Sequence, residues 1–181
     1  KSPFTETFLE NVRVEKNQVI GKINEGWTIA KYLLTHEREM IGGSGASRAG
    51  SLPVSKVAIE SLGHENGILS DTLLRADIAR FEMDERCLAL TMERARDEVK
   101  AGVSLGATAS MFKYYGTELN KRRYELLMSI KGQDALDWEG GSNCDGFLPK
   151  SWLRSKANSI EGGTSEIQLN IVAKHLLGLP G

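Results

Sequence analysis

The apolar residues of this chain follow two rhythms, and the change between them comes early. Residues 4–14 alternate loosely, with Phe4, Thr5, Thr7, Phe8, Val12 and Val14 in strand-forming positions. That pattern predicts a short β-strand and a turn near 15–18, too short to make a sheet alone. From Glu25 onward the spacing becomes three and four, the period of a helix with one buried face. Trp27, Ala30, Leu33, Leu34, Met40 and Ile41 form the first stripe, which Gly42-Gly43-Ser44-Gly45 interrupts. Such a breaker cluster usually marks a loop, but small residues in mid-helix also allow close approach of another helix or a flat ligand. Pro53 opens a second helical segment ending near Gly63. The longest stripe runs over 71–100, with Leu74, Ile78, Phe81, Leu88, Met92, Ala95 and Val99 on one seam and Gly102 after it. Another covers 105–131, with Ala109, Phe112, Leu119, Leu126 and Ile130 inward and Gly132 as its stop. Residues 133–147 read as a loop and 150–159 as a short helix. Ser165 and Gln168 make a capping box, so a last helix is expected to start at or beside Thr164. Ile167, Ile171 and His175 recur along it, with Leu169 and Val172, before Gly178 and Pro180 end it. The sum is an all-α, up-and-down helical bundle of four or five main helices behind a short strand.

The 181 residues suffice for one sizeable core. A formal net charge of −1 gives no long-range field for nucleic acid or an anionic membrane. Lys121-Arg122-Arg123 is the one dense basic run and reads as a solvated helix face. Cys87 and Cys144 lie far apart, suggesting neither a disulfide framework nor a metal site. No apolar run approaches the roughly 20 residues that cross a bilayer, and the opening Lys-Ser-Pro-Phe is not a signal peptide. His36, His64 and His175 lack the Glu-x-x-His spacing of a di-iron bundle. Gly43-Ser44-Gly45 does not complete a dinucleotide fingerprint, because Arg48 stands at the third glycine.

Two places hold candidate chemistry. Glu37 lies on the apolar stripe of its own helix, four residues after Leu33 and three before Met40. A carboxylate there is costly without a task or a partner. Glu85 interrupts the 71–100 seam in the same way, so either acid can be a structural salt bridge. The other place is Gly162-Gly163, side-chain-free backbone leading into free helix N–H groups. It suits an anionic or carbonyl-bearing ligand, and equally an ordinary tight turn with an N-cap.

The tail as spelled, Gly163-Thr-Ser-Glu-Ile-Gln168 and then an aliphatic helix closing on Leu177-Gly-Leu-Pro180, resembles the carboxyl terminus of the acyl-CoA dehydrogenase family. Phe8-Leu-Glu-Asn-Val-Arg-Val14, Val19-Ile-Gly21 and Asn24-Glu-Gly-Trp27 resemble that family's passage from its middle β-domain into its helical domain. The two blocks bracket almost the whole chain. The resemblance implies that residues 1–22 end the β-domain and its linker, that 23–181 are the carboxyl-terminal helical domain, and that the chain is part of a longer cytoplasmic protein. It implies FAD as cofactor, an acyl-CoA thioester as substrate, and electron-transfer flavoprotein as acceptor.

In many members the α-proton base is a glutamate directly before the tail Gly-Thr; here that position is Gly162, and Glu161 is one residue early. Other members carry the base on the first long helix, followed by arginine, and Leu33-Leu-Thr-His-Glu-Arg38 resembles that arrangement. Glu37 is then the expected base, and Arg38 is expected at the substrate end of the pocket. Gly162 is expected to offer its main-chain N–H to the enolate, and Gly163, Thr164, Ser165 and Glu166 to contact the flavin, with Glu166 replacing a common glutamine. The family's Arg-x-x-Phe-Gly flavin loop is absent between Leu69 and Met83, where only Arg75 and Arg80 occur. Ala135-Leu-Asp-Trp-Glu-Gly-Gly141 replaces a Gly-Gly pair. Both departures resemble a bacterial branch exemplified by pimeloyl-CoA and sterol side-chain dehydrogenases. Such proteins assemble as homo- or hetero-oligomers, dimers of dimers included, some with fewer flavins than chains. The rival expectation is therefore a non-catalytic assembly subunit.

Overall fold

The computed structural model describes residues 5–46, 52–139 and 146–180; for Thr35 and residues 38–46 it describes the backbone only. Six α-helices follow in order: α1 Gly26–Ala46, α2 Val54–Leu62, α3 Thr72–Lys100, α4 Thr108–Lys131, α5 Phe147–Ser155 and α6 Ser165–His175. Short 3₁₀ turns occupy Lys16–Gln18, Gly132–Leu136 and Lys156–Ser159. The chain divides into two units, Lys1–Leu33 and Leu34–Gly181.

In the first unit the expected strand does not form. Residues 5–14 carry no strand and are exposed, because a strand exists only by pairing its N–H and C=O groups with a neighbour. Phe4 lies outside the described residues. Gly21 has φ +77°, and a Cβ there would meet Ile29 Cδ1 at 2.7 Å, so glycine is required where the chain turns back toward the start of α1.

The second unit is built on α4, which packs against α2, α3, α5 and α6. Its core joins Val54 and Ala58 of α2, Leu69, Ile78 and Phe81, and Leu119 and Ile130 of α4. A second cluster at the far end of α3 holds Met92, Ala95 and Phe112. Phe81 is fully buried, a contribution of about 2–3 kcal/mol from one side chain. The seam expected over 71–100 is the buried one, except that Val99 is exposed near the helix end. Asp71 caps α3, accepting from Leu74 N–H at 2.9 Å. Pro53 precedes α2 and offers no side-chain cap; Glu82 of α3 instead accepts from the Ser55 N–H at 2.9 Å.

Two further readings are decided here. Of the two readings of Gly42-Gly43-Ser44-Gly45, small residues within a helix is the one that holds: α1 continues through them to Ala46, each glycine weakening a helix by about 1 kcal/mol. The basic run is a set of ties between elements, not a solvated face. Arg123 is buried, donates to Leu52 O at 2.8 Å and sits 3.9 Å from Glu85. Arg122 pairs with Asp84 of α3 at 2.6 Å, and Lys121 donates to Ser159 Oγ at 2.6 Å while pairing with Glu118 of its own helix. Glu85 thus has the structural partner that its place in the seam demanded.

Candidate active site

The glycine turn lies between the 3₁₀ turn Lys156–Ser159 and α6. Gly162 and Gly163 have φ +65° and +90°, a backbone that side chains strain. A Cβ on Gly163 would lie 2.5 Å from Gln168 Nε2. Both carbonyls of the turn are held from within the bundle. Lys113 of α4 donates from Nζ to Gly163 O at 2.7 Å and to Asn158 O at 2.9 Å. Gln168 of α6 donates from Nε2 to Gly162 O at 3.1 Å. Both side chains are fully buried.

Burial pulls the Lys113 ammonium below its ordinary pKa, against the opposing pull of Glu161 and Glu118. Glu161, the acid one residue too early for the family's tail base, is committed to structure. It receives Arg154 Nη2 at 2.6 Å and Asn158 Nδ2 in a short hydrogen bond. Arg154 chiefly, and Asn158 after it, hold the Glu161 carboxyl below the usual range despite burial. Asn120 of α4 completes the chain, donating to Asn158 Oδ1 at 2.6 Å.

Helix α6 starts where expected, but Thr164 is its cap: the Ile167 N–H donates to Thr164 Oγ1 at 3.3 Å. The expected capping box is replaced by other bonds. Ser165 Oγ donates to Glu118 Oε1 at 3.4 Å, and Gln168 reaches past the cap to Gly162. The buried face of α6 is Gln168 with half-buried Ile171 and Val172, while Ile167, Leu169 and His175 are exposed. A polar residue has taken the core position because both its site and its partner are fixed. Glu166 is exposed, and its carboxyl is held below the ordinary range by its own backbone N–H and by the Thr164 hydroxyl.

Glu37 stands on α1 and is exposed, as are Leu33 and Leu34. The burial expected from its place on the stripe is therefore not provided by this chain. Arg38 is helical, with its side chain outside the described residues; residues 140–141 of the altered Gly-Gly segment also lie outside them.

Lys113 was not singled out by the sequence, and Gln168 only as half of a capping box. The signal for Lys113 was present: it follows Phe112 and stands four residues after Ala109, both on the buried side of α4. For Gln168 the capping-box pattern gave a different role for the same side chain.

With this geometry in view, the likeness to known proteins can be placed. Residues 24–177 match the family described as "Acyl-CoA dehydrogenase, C-terminal domain". The chain belongs to the acyl-CoA dehydrogenase family, and its helical bundle is that family's carboxyl-terminal domain. It is similar to "Acyl-CoA dehydrogenase FadE34" of Mycobacterium tuberculosis, with 27% identity over 99% of this chain and 23% of the relative. Among solved structures, the "Tcur3481-Tcur3483 steroid ACAD" matches with a TM-score of 0.75 and 26% identity, over 96% of this chain and 44% of that one. The ChsE4-ChsE5 complex from Mycobacterium tuberculosis matches with a TM-score of 0.63 and 25% identity, over 89% and 42%. The chain thus spans less than half the length of each. Among the described residues, no helix is long and apolar enough to cross a membrane.

Proposed function

We propose that this chain is the carboxyl-terminal part of a cytoplasmic, FAD-dependent acyl-CoA dehydrogenase that introduces an α,β double bond into an acyl-CoA thioester. The observation that carries the reading is the glycine turn, whose carbonyls are held inward by two buried side chains at the start of α6. The residues present fit a flavin in kind. Gly163 and Thr164 offer main-chain donors, which suit a carbonyl or anionic oxygen. Glu166 offers an ionised acceptor, which suits a ligand N–H rather than a phosphate. Ser165 contributes through its main chain, because its hydroxyl is engaged by Glu118. When bound, FAD supplies the acceptor for hydride leaving the β-carbon.

The chain's own part is proton removal and charge stabilisation. Glu37 takes the α-proton, and the main-chain N–H of Gly162 donates to the thioester oxygen as negative charge develops there. Arg38 holds the substrate end of the pocket. A carboxylate base of this kind works best shielded from water; since Glu37 is exposed within this chain, the shield comes from the bound thioester and from other parts of the assembly. Electrons then leave to electron-transfer flavoprotein, and the working unit is a homo- or hetero-oligomer.

Glu37→Gln in the intact protein tests the assignment. Folding and flavin content are expected to stay as in the wild type, while flavin reduction by acyl-CoA falls by at least a thousandfold, within the range general-base catalysis contributes. Wild-type-like reduction in that variant refutes Glu37 as the base. A second reading, a non-catalytic subunit that completes a partner's site, is favoured by the lack of an Arg-x-x-Phe-Gly loop between Leu69 and Met83.

A further inference from the structure

The two buried donors do more than hold a turn. A peptide unit is planar and trans, so its N–H points opposite to its C=O. Drawing Gly162 O toward Gln168 therefore turns the Gly163 N–H the other way, and drawing Gly163 O toward Lys113 does the same to the Thr164 N–H. Among the described residues neither N–H makes a hydrogen bond.

The orientation of the Gln168 amide is fixed by the same contact. With the amide reversed, Oε1 would face Gly162 O, one acceptor against another. Held as it is, Gln168 leaves its buried Oε1 without a donor among the described residues. A buried acceptor in that state is destabilising, so the amide is retained at a cost to the fold. Lys113 has a comparable position: an ammonium buried in the bundle, both of whose described acceptors are main-chain carbonyls beside the turn.

We propose that Lys113 and Gln168 are positioning residues of the flavin site: by pinning the Gly163 and Gly162 carbonyls inward, they aim the Thr164 and Gly163 N–H groups at the flavin. The proposal rests on the function proposed above, and its test separates the two. In the intact protein, Gln168→Met keeps the volume and removes the donor, and Lys113→Met does the same on α4. Amide hydrogen exchange is followed separately over 159–168 and over 72–131, alongside flavin reduction at saturating acyl-CoA.

For Gln168→Met, exchange over 159–168 is expected to rise about tenfold while 72–131 stays protected, the size of effect that losing one hydrogen bond gives. Flavin reduction should fall by a similar factor in kcat, with KM within about twofold, because the aimed donors position the flavin and do not hold the acyl-CoA. Unchanged exchange at the turn, or exchange rising equally across both regions, overturns the positioning role, as does a loss confined to KM. Lys113→Met should accelerate the same segment; should it fail to fold, Gln168→Met alone decides. If the wild type neither holds FAD nor reduces it with acyl-CoA, the functional reading fails, while the exchange measurement still reports whether the two side chains fix the turn.

Discussion

Glu161 shows how one residue's environment can settle its use. Its place beside the glycine turn invites comparison with the family's tail base, yet its carboxylate is bound by Arg154 and Asn158. A base must be free to accept a proton; this group is held in its ionised form, with its pKa below the ordinary 4.5. The sign of the linkage follows. A carboxyl with a depressed folded-state pKa stabilises fully above its unfolded value and loses that contribution as pH falls through the folded value. Glu161→Gln is therefore expected to be less stable than wild type at neutral pH, with the gap closing as pH drops below about 4.5. Urea unfolding of both proteins between pH 7 and 3 measures it. A gap independent of pH would mean that the Arg154 pairing does not depend on the charge of Glu161.

At the scale of elements, α4 organises the domain because it touches four other helices and carries buried polar anchors toward them. Arg123 is the anchor on the α2 side. Arg123→Met is expected to lower stability by about 2 kcal/mol, since Leu52 O loses a charged donor and Glu85 its ion-pair partner. A solvated arginine would change stability by less than about 0.5 kcal/mol, so a denaturant midpoint discriminates the two views. Helices α2, α3 and α4 were legible in the sequence because their apolar residues repeat at the helical period and Pro53, Asp71, Gly63 and Gly132 mark their ends. Alternation over 5–14 did not yield a strand among the described residues, because it describes a strand's face and not whether a partner is present. The faces of α6 were misread for a different reason. Hydropathy ranks Ile167 and Leu169 as inward and Gln168 as outward, whereas the bond to Gly162 makes burial of Gln168 tolerable and turns the helix accordingly. Lys121-Arg122-Arg123 was misread in the same direction, because charge density says nothing of acceptors on neighbouring helices. At the site, the glycines and the helix start were legible; Lys113 was not, since its acceptors lie 45 and 50 residues away in sequence.

At the scale of the whole molecule, a chain that carries the chemistry and one that completes it for another make different demands on its surface and its flavin content. Trp27 and Leu33 are 69% and 62% exposed, and Glu37 shares that exposure. Exposed apolar side chains of this size mark surface that other protein or ligand can cover. Flavin content separates the readings. If the chain belongs to a catalytic subunit, the intact protein should hold about one FAD per copy in a homo-oligomer. If it completes a partner's site, the intact protein alone should hold none and reach about one FAD per pair only when co-purified with that partner. Absorbance of the released flavin against protein concentration measures the ratio.

The closeness of Gln168 Nε2 to the place a Cβ on residue 163 would occupy has a bearing on how such a site is mapped. Mutational scans read what disappears when a side chain is trimmed, but under the proposal made above the equipment is the peptide link itself. Replacing either glycine adds atoms instead of removing any, so a damaged variant would report crowding and say nothing about the lost chemistry. Amide-to-ester exchange at residues 163 and 164, which deletes a single N–H and leaves the shape intact, is the perturbation that speaks to it directly.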